Sequence, residues 1–208
     1  MNVYVKVCGL SRPADVEAAV AAGADAVGFV LTPSPRQVPP ATARALAALV
    51  PAGVATVAVF RGEPLDEVRR AAAEAGVGTV QLHGGEPPEA FAALRGDGLR
   101  LIRATSPAAR SPLTTGAYGE DLLIVDSPRP GSGERWDPAA LGSRPSGRWM
   151  LAGGLAPDNV AEAVASLRPW GVDVSSGVER ARGVKDPALI ERFVTAAKAV
   201  TNGLPPAS

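Results

Sequence analysis

The segment VYVKVCGLSRPADVEAAVAAG, residues 3–23, decides the fold class because it places a strand, a turn and a helix in immediate succession. Its β-rich start predicts a strand over Val3–Cys8, and Gly9 ends that strand. Pro13 then opens an alanine-rich helix, where the N–H that proline lacks would have had no partner. Gly23 follows as a left-handed helix cap. A strand followed at once by a helix is the repeating unit of α/β folds.

The same unit recurs along the chain. The other strands are predicted at Ala26–Val30, Ala55–Phe60, Gly78–Leu82, Leu99–Arg103, Leu122–Asp126, Arg148–Ala152 and Val172–Val174. The helices are predicted at Pro13–Ala22, Pro40–Val50, Pro64–Ala75, Pro87–Leu94, Pro157–Leu167 and Pro187–Val200, and Gly76 and Gly96 are further expected caps. Residues 106–119 are rich in Pro, Ser, Thr and Gly, and residues 137–141 have room for only a short turn.

Eight strands that alternate with helices predict a short (β/α)8 barrel with truncated fifth and sixth crossover helices. A doubly wound sheet is less favoured, because the first turn lacks the G-x-G-x-x-G pattern. The chain has 208 residues and no evident linker. We therefore predict one barrel domain over residues 1–202 and a disordered tail over residues 203–208.

Composition excludes several classes of partner. Lys and Arg together number 21, as do Asp and Glu, and the basic residues are scattered, which argues against nucleic acid as a partner. No apolar run approaches the roughly 18 residues of a spanning helix, and the first residues lack a signal-peptide pattern. Cys8 is the only cysteine and His83 the only histidine, so a disulfide and the usual zinc site are both implausible. A free thiol fits a reducing cytoplasm.

In a barrel of this type, chemistry is located where the strands end. The residues at or after the predicted strand ends are Cys8, Arg36, Gln81, His83, Asp126, Gly153, Gly154, Asp173, Ser176 and Gly177. The turns Gly153-Gly154 and Ser176-Gly177 follow the last two strands, where this fold usually binds phosphate. Their small residues let backbone N–H groups approach an anion, although each turn could also be only a tight connection.

Two charged residues are candidates for direct chemistry. Asp126 ends an apolar strand and faces a partly desolvated cavity, which suits a general acid. A helix N-cap is the alternative, but Pro128 and the following glycines disfavour an immediate helix. Arg36 lies in a proline-stiffened loop, where a fixed guanidinium can grip a carboxylate or a phosphate. A solvated surface arginine is its alternative role.

Lys6 and Cys8 have the same strand parity, so their side chains should point the same way. If they face inward, Lys6 needs a carboxylate partner, and Asp173 and Asp126 are both candidates. The cation would also help to lower the pKa of the Cys8 thiol, although the ion pair could be purely structural. His83 could either transfer protons or orient its neighbours.

Together these segments resemble a known family. Lys6–Pro13 resembles the K-I/V-C-G-I/L-T/S-R opening of the phosphoribosylanthranilate isomerases of tryptophan biosynthesis. Further resemblances follow in the same order at Ser34–Arg36, Gln81–Gly84, Val125–Ser127, Leu151–Leu155, Gly171–Glu179 and Gly183–Asp186. The resemblance covers essentially the whole chain, and the ordered set is far more specific than any one of its motifs.

The resemblance implies a (β/α)8 barrel that needs no cofactor and acts on a small phosphosugar, with neither nucleic acid nor a membrane as partner. The implied reaction is the Amadori rearrangement of N-(5-phosphoribosyl)anthranilate to 1-(2-carboxyphenylamino)-1-deoxyribulose 5-phosphate. It further implies Cys8 as general base and Asp126 as general acid, with Arg36 at the benzoate. The two small-residue turns would hold the phosphate, and Gln81, His83 and Asp173 would contact the substrate.

One loop departs from the family pattern. The family's usual G-G-x-G-K-x-F-D-W is replaced by GSGERWDP over Gly131–Pro138, with Ser132, Glu134 and Arg135 at altered positions. Two alternatives therefore stay open. One is a histidine-pathway or dual-substrate sugar-phosphate isomerase, which Cys8 in place of an aspartate disfavours. The other is an inactive phosphosugar-binding barrel. The chain is expected to be a monomer or a homodimer.

Overall fold

The computed structural model describes residues 3–127 and 144–200, and it contains a closed barrel of eight parallel strands. The strands are β1 Tyr4–Cys8, β2 Ala26–Val30, β3 Ala55–Phe60, β4 Thr79–Leu82, β5 Arg100–Thr105, β6 Leu122–Val125, β7 Trp149–Ala152 and β8 Gly171–Val174. Each strand pairs with the next in sequence order, and β8 pairs with β1 to close the barrel. The predicted fold class is thereby confirmed.

The helices that connect these strands are α1 Pro13–Ala21, α2 Pro40–Ala47, α3 Leu65–Ala75, α4 Pro88–Gly96, α5 Val160–Leu167 and α6 Pro187–Lys198. Proline begins several of them, as predicted. Helix α5 begins three residues later than predicted, because Asn159 closes a turn ahead of it by bonding Ala156 N and the Gly154 carbonyl. Gly96 ends α4 without being its left-handed cap, and that conformation occurs at Gly98 instead.

The fifth crossover has only a 3-10 turn, Pro107–Ala109, where a full barrel would have a helix. Arg103 organises this connection from within: its Nε donates to Glu120 at 2.8 Å, and its Nη2 donates to the carbonyls of Pro112 and Thr114. Its guanidinium also lies 4.5 Å from the centre of the Tyr118 ring. A buried arginine with several hydrogen bonds thus occupies the place of the apolar face that a helix would have supplied.

The strands alternate between two cores with the period of two that a pleated strand imposes. Val57 and Val59 of β3 belong to the cluster inside the barrel, whereas Ala58 and Phe60 pack outward against the helices. Fully burying a valine or phenylalanine side chain stabilises the fold by roughly 1.5–3 kcal/mol. Both strand faces are therefore apolar, which explains why the sequence reads as continuous hydrophobic runs.

A two-stranded antiparallel hairpin follows β8 and was not predicted. Its strands are β9 Glu179–Ala181 and β10 Val184–Lys185, and a 3-10 turn over Ser176–Val178 precedes them. Strands of three and two residues are too short to show any periodicity in sequence.

Several predictions fall outside the described residues. They are the truncated sixth crossover at 137–141, the altered loop at 131–138 and the disordered tail at 203–208. The assignment of residues 1–202 to one domain also stays a prediction. Within residues 3–127 and 144–200, no helix has the length and apolar character needed to span a bilayer.

Candidate active site

A cavity of about 210 Å³ opens at the carboxyl ends of the barrel strands. The predicted residues that line it are Cys8, Arg36, Gln81, His83, Asp126, Gly153, Gly154, Asp173 and Ser176. The barrel therefore gathers onto one surface nine predicted residues that are spread from position 8 to position 176 of the sequence. The remaining predicted residue, Gly177, is not among the lining residues.

Cys8 ends β1 and is only 7% exposed. Lys6, two residues earlier on the same face, is fully buried and donates from Nζ to Asp173 Oδ1 at 2.9 Å. Of the two carboxylates considered as its partner, the structure therefore selects Asp173. Burial opposes the charge of Lys6, but the Asp173 carboxylate and the neighbouring Cys8 together outweigh that effect and raise the pKa of the lysine, so the ammonium persists.

The thiol and the ammonium act on each other. Burial raises the pKa of Cys8, and the Lys6 cation lowers it by a smaller amount. The predicted effect of Lys6 is thus present, but desolvation outweighs it, because a thiolate loses much of its hydration in this position. Cys8 is therefore mostly protonated at neutral pH and becomes a strong base when it ionises.

Asp126 follows β6 and lies three strands from Cys8 around the barrel. It is 7% exposed. Its Oδ1 accepts a hydrogen bond from Ser127 N at 2.7 Å, and its Oδ2 lies 3.4 Å from His83 Nε2. The backbone thus fixes one carboxylate oxygen, while the other remains on the side of His83. His83 and Asp126 are therefore neighbours in the cavity wall.

Gly153 allows the turn after β7 to approach this carboxylate. Its φ is +86°, and a Cβ at this position would overlap the Asp126 carboxylate and lie 2.5 Å from Ser127 N. Any side chain here would therefore displace the candidate acid. Gly177 likewise allows a close approach. A Cβ at this position would overlap the Leu155 carbonyl group in the turn after β7. It keeps the two small-residue turns in contact without facing the cavity itself.

Arg36 reaches the cavity from the loop after β2, and its guanidinium is held by a partner that the sequence did not reveal. Its Nε and Nη2 donate to Glu179 Oε1 and Oε2 at 2.6 and 3.0 Å. Burial disfavours the charge of Glu179, but hydrogen bonds from Arg36, Lys185 and Gly183 lower its pKa to about 2. The carboxylate is thus ionised throughout the physiological range, and Arg36 has a fixed orientation.

Gln81 lines the cavity and has one buried acceptor without a partner in the described part of the chain. Its side chain is 2% exposed, and its Oε1 has no hydrogen-bond partner among the described residues. A buried acceptor without a partner costs about 1–3 kcal/mol. Since this atom lies in the wall of the cavity, a hydroxyl or N–H group of a bound molecule is the natural donor for it.

Other lining residues were not predicted, among them Thr32, Arg61 and Ser175. Arg61 follows β3 directly, so the rule that strand ends carry chemistry would have found it. Ser175 follows β8 in the same way. Within the described part of the chain, no cluster of three or more His, Cys, Asp or Glu side chains could hold a metal ion.

The cavity thus combines a buried thiol and a carboxyl group on opposite walls with cationic and small-residue sites for anions. The family model for N-(5'-phosphoribosyl)anthranilate isomerase matches residues 5–196. The enzyme of that name from Symbiobacterium thermophilum is 44% identical, over 95% of this chain and 99% of its own.

Solved structures give the same family. TrpF from Jonesia denitrificans is 50% identical, with a TM-score of 0.88 over 95% of this chain and 97% of its own. A phosphoribosylanthranilate isomerase in complex with reduced 1-(o-carboxyphenylamino)-1-deoxyribulose 5-phosphate is 34% identical, with a TM-score of 0.80 over 95% of this chain and all of its own. Monomers of the dimeric Thermotoga maritima isomerase are 32% identical, with the same TM-score over 95% of this chain and all of theirs.

Proposed function

The chain belongs to the N-(5'-phosphoribosyl)anthranilate isomerase family, and we propose that Cys8 is its general base and Asp126 its general acid. The protein is an isomerase of tryptophan biosynthesis that converts N-(5-phosphoribosyl)anthranilate to 1-(2-carboxyphenylamino)-1-deoxyribulose 5-phosphate. The observation that carries the assignment of residues is that Cys8 and Asp126 line one cavity from β1 and β6.

The reaction needs one proton to be given and another to be removed. Asp126 protonates the ribose ring oxygen, so the bond from that oxygen to C1 breaks and the nitrogen lone pair forms an iminium ion. The Cys8 thiolate then removes the C2 proton, which gives an enolamine. Tautomerisation adds a proton at C1 and removes one from the 2-hydroxyl group, leaving the ketone. A proton that returns from the thiol to the carboxylate restores the enzyme, and no proton is consumed overall.

The protonation states of Cys8 and Asp126 determine what fraction of the enzyme can react. The reactive form holds one proton on Asp126 and none on Cys8. Burial raises the pKa of Cys8, so this form is a minor one at neutral pH. The cations of Lys6 and Lys185 both act to lower that pKa, and they thereby increase the fraction of the reactive form. The raised pKa also makes the thiolate a stronger base towards a carbon acid. General acid and general base steps each contribute typically about 10²- to 10⁴-fold to the rate.

The substrate has a negative charge at each end, and the cavity offers a site for each. The turns at Gly153-Gly154 and Ser176 hold the phosphate, and Arg36 holds the benzoate. Gln81 and Asp173 line the same cavity and are assigned to the sugar. The buried acceptor of Gln81, which has no partner among the described residues, supports a hydrogen bond from a sugar hydroxyl group.

Two substitutions test the acid and the base. In Cys8→Ala and Asp126→Asn, kcat is expected to fall by roughly 10²- to 10⁴-fold, because each removes one proton transfer. Calorimetric binding of the reduced product analogue should persist in both variants, because neither residue is assigned to a charged end of the ligand. Near-normal turnover by Cys8→Ala would show that another group is the base.

Location and assembly are further parts of the proposal. A base that must cycle between thiol and thiolate requires a reducing compartment, and the cytoplasm supplies one. The chain is proposed to be a monomer or a homodimer that binds no nucleic acid. Light scattering on the purified protein distinguishes the two states.

A further inference from the structure

We propose that Glu179 and Lys185, the hairpin clamp, orient Arg36 and keep its surroundings positively charged, and thereby determine the preference for a ligand with a ring carboxylate. The clamp lies on β9 and β10, and neither of its residues is among those that line the cavity. Both are therefore positioning residues. The proposal rests on the assignment of Arg36 to the benzoate.

The geometry of the arginine leaves its outer edge free. Glu179 takes the Nε–H and one Nη2–H of Arg36. A guanidinium has five N–H donors, so both Nη1 donors and the second Nη2 donor remain. One Nη1 donor and the second Nη2 donor, which no described residue accepts, form the end-on edge, and this edge matches a second carboxylate bidentately. Glu179 thus holds one edge of Arg36 while the other can bind the benzoate.

Lys185 offsets the negative charge that Glu179 brings next to Arg36. An Arg36–Glu179 pair alone has no net charge and would attract an anion weakly. Lys185 is fully buried, and its Nζ donates to Glu179 Oε1 and to the Ser175 carbonyl at 2.8 Å, with Ser175 Oγ at 3.2 Å. Three acceptors match the three N–H groups of an ammonium. Burial lowers the pKa of Lys185, and the Glu179 carboxylate opposes that effect and favours the ammonium. With Lys185 charged, two cations and one carboxylate give a net charge of +1 behind the cavity wall.

The backbone around the clamp leaves it little freedom. Gly183 N, in the turn between β9 and β10, donates to Glu179 Oε2 at 3.0 Å. On the other side, the aliphatic stem of Arg36 packs on Gly9, where a Cβ would lie 2.6 Å from Arg36 Cδ. The arginine is thus enclosed between the β1 turn and the hairpin. A preorganised guanidinium loses less entropy when it binds a carboxylate.

The test compares two ligands in several variants. The probes are reduced 1-(2-carboxyphenylamino)-1-deoxyribulose 5-phosphate and the phenylamino compound that lacks the ring carboxylate. In Glu179→Gln and Lys185→Met, the Kd of the first probe should rise roughly 10- to 100-fold, the value of one charge-assisted hydrogen bond. The Kd of the second probe should be unchanged. KM should rise in parallel in both variants. In Glu179→Gln kcat should change little, whereas in Lys185→Met kcat should also fall, because a cation that favours the Cys8 thiolate is lost.

The control variants separate the possible failures. Glu191→Gln makes the same charge change on the exposed face of α6 and should leave both Kd values unaltered. Glu179→Asp keeps the charge and should retain part of the preference, which tests the clamp if Glu179→Gln does not fold. Equal weakening of both probes, or of neither, would overturn the clamp. If Arg36→Met also shows no selective loss, the benzoate assignment itself is wrong; a selective loss in Arg36→Met alone refutes only the clamp.

Discussion

Gly28 is predicted to control the position of the catalytic thiol. It lies on β2 directly beside Cys8, in register across the parallel pair. A Cβ on Gly28 would lie 3.0 Å from Cys8 Sγ and 3.2 Å from Lys6 Nζ. Optimal separations between non-bonded heavy atoms are about 3.5–4.0 Å. The thiol in Gly28→Ala must therefore shift by a few tenths of an ångström, because the close-packed strands leave the new methyl group no other room.

This displacement should affect turnover more than folding. A misplacement of about 1 Å at a reacting group can cost ~10²-fold, so a shift of a few tenths of an ångström is expected to lower kcat of Gly28→Ala by roughly 2- to 10-fold. Overpacking costs about 1–3 kcal/mol, and the loss of glycine freedom in the unfolded chain returns about 0.4–1 kcal/mol. The free energy of unfolding should therefore decrease by about 1–2 kcal/mol, which leaves the protein folded.

Steady-state kinetics and urea denaturation measure the two effects separately. Gly78→Ala is the matched control, because a Cβ there meets nothing within 4 Å and the substitution should leave kcat unchanged. Cys8 is the only thiol in the chain, so its alkylation by iodoacetamide reports its accessibility directly. Wild-type kcat in a folded Gly28→Ala would refute the reasoning, since it would mean that the thiol need not occupy its observed position.

Two further predictions concern the buried charges. Lys6→Met should lower the free energy of unfolding, measured by urea titration, by about 3–5 kcal/mol, because it leaves Asp173 buried without its cation. The control Lys198→Met breaks the partly exposed pair with Asp25 and should lower the free energy of unfolding by about 1 kcal/mol or less in the same titration. Loss of the ammonium should also move the pH midpoint of Cys8 alkylation upward, and an unchanged midpoint would show that Lys6 does not act on the thiol. The depressed pKa of Glu179 makes its ion pairs a source of stability that is complete above about pH 4.5 and is lost as the pH falls towards about 2. The difference in urea midpoint between wild type and Glu179→Gln should therefore shrink across that window, and a constant difference would contradict it.

Much of the barrel could be predicted from local sequence, for identifiable reasons. β2 and β3 have the predicted limits, because short apolar runs that are bounded by turn residues are typical of buried strands. Proline and glycine marked most helix ends. The strand-end rule then placed most of the site, since parallel strands of a closed barrel all end at one face.

Other features depend on contacts that sequence distance hides. Glu179 lies 143 positions from Arg36, and its short strand has no periodic signal. Lys6 had two plausible carboxylate partners, and the strand register selects Asp173. Lys6 lies directly opposite Asp173 where β8 pairs with β1, so the two side chains point to the same face of the barrel wall. Local sequence does not specify that register.

The sequence by itself determined the eightfold repeat, the place of each strand end to within two residues and the presence of a single thiol beside a lysine. Only the tertiary structure decided that Asp173 pairs with Lys6, that Glu179 holds Arg36, and that burial raises the pKa of Cys8 despite its neighbouring cation. The physical reason is that strand formation depends on neighbours along the chain. Charge pairing and desolvation depend on which distant segments closure of the barrel brings together and how completely they exclude water.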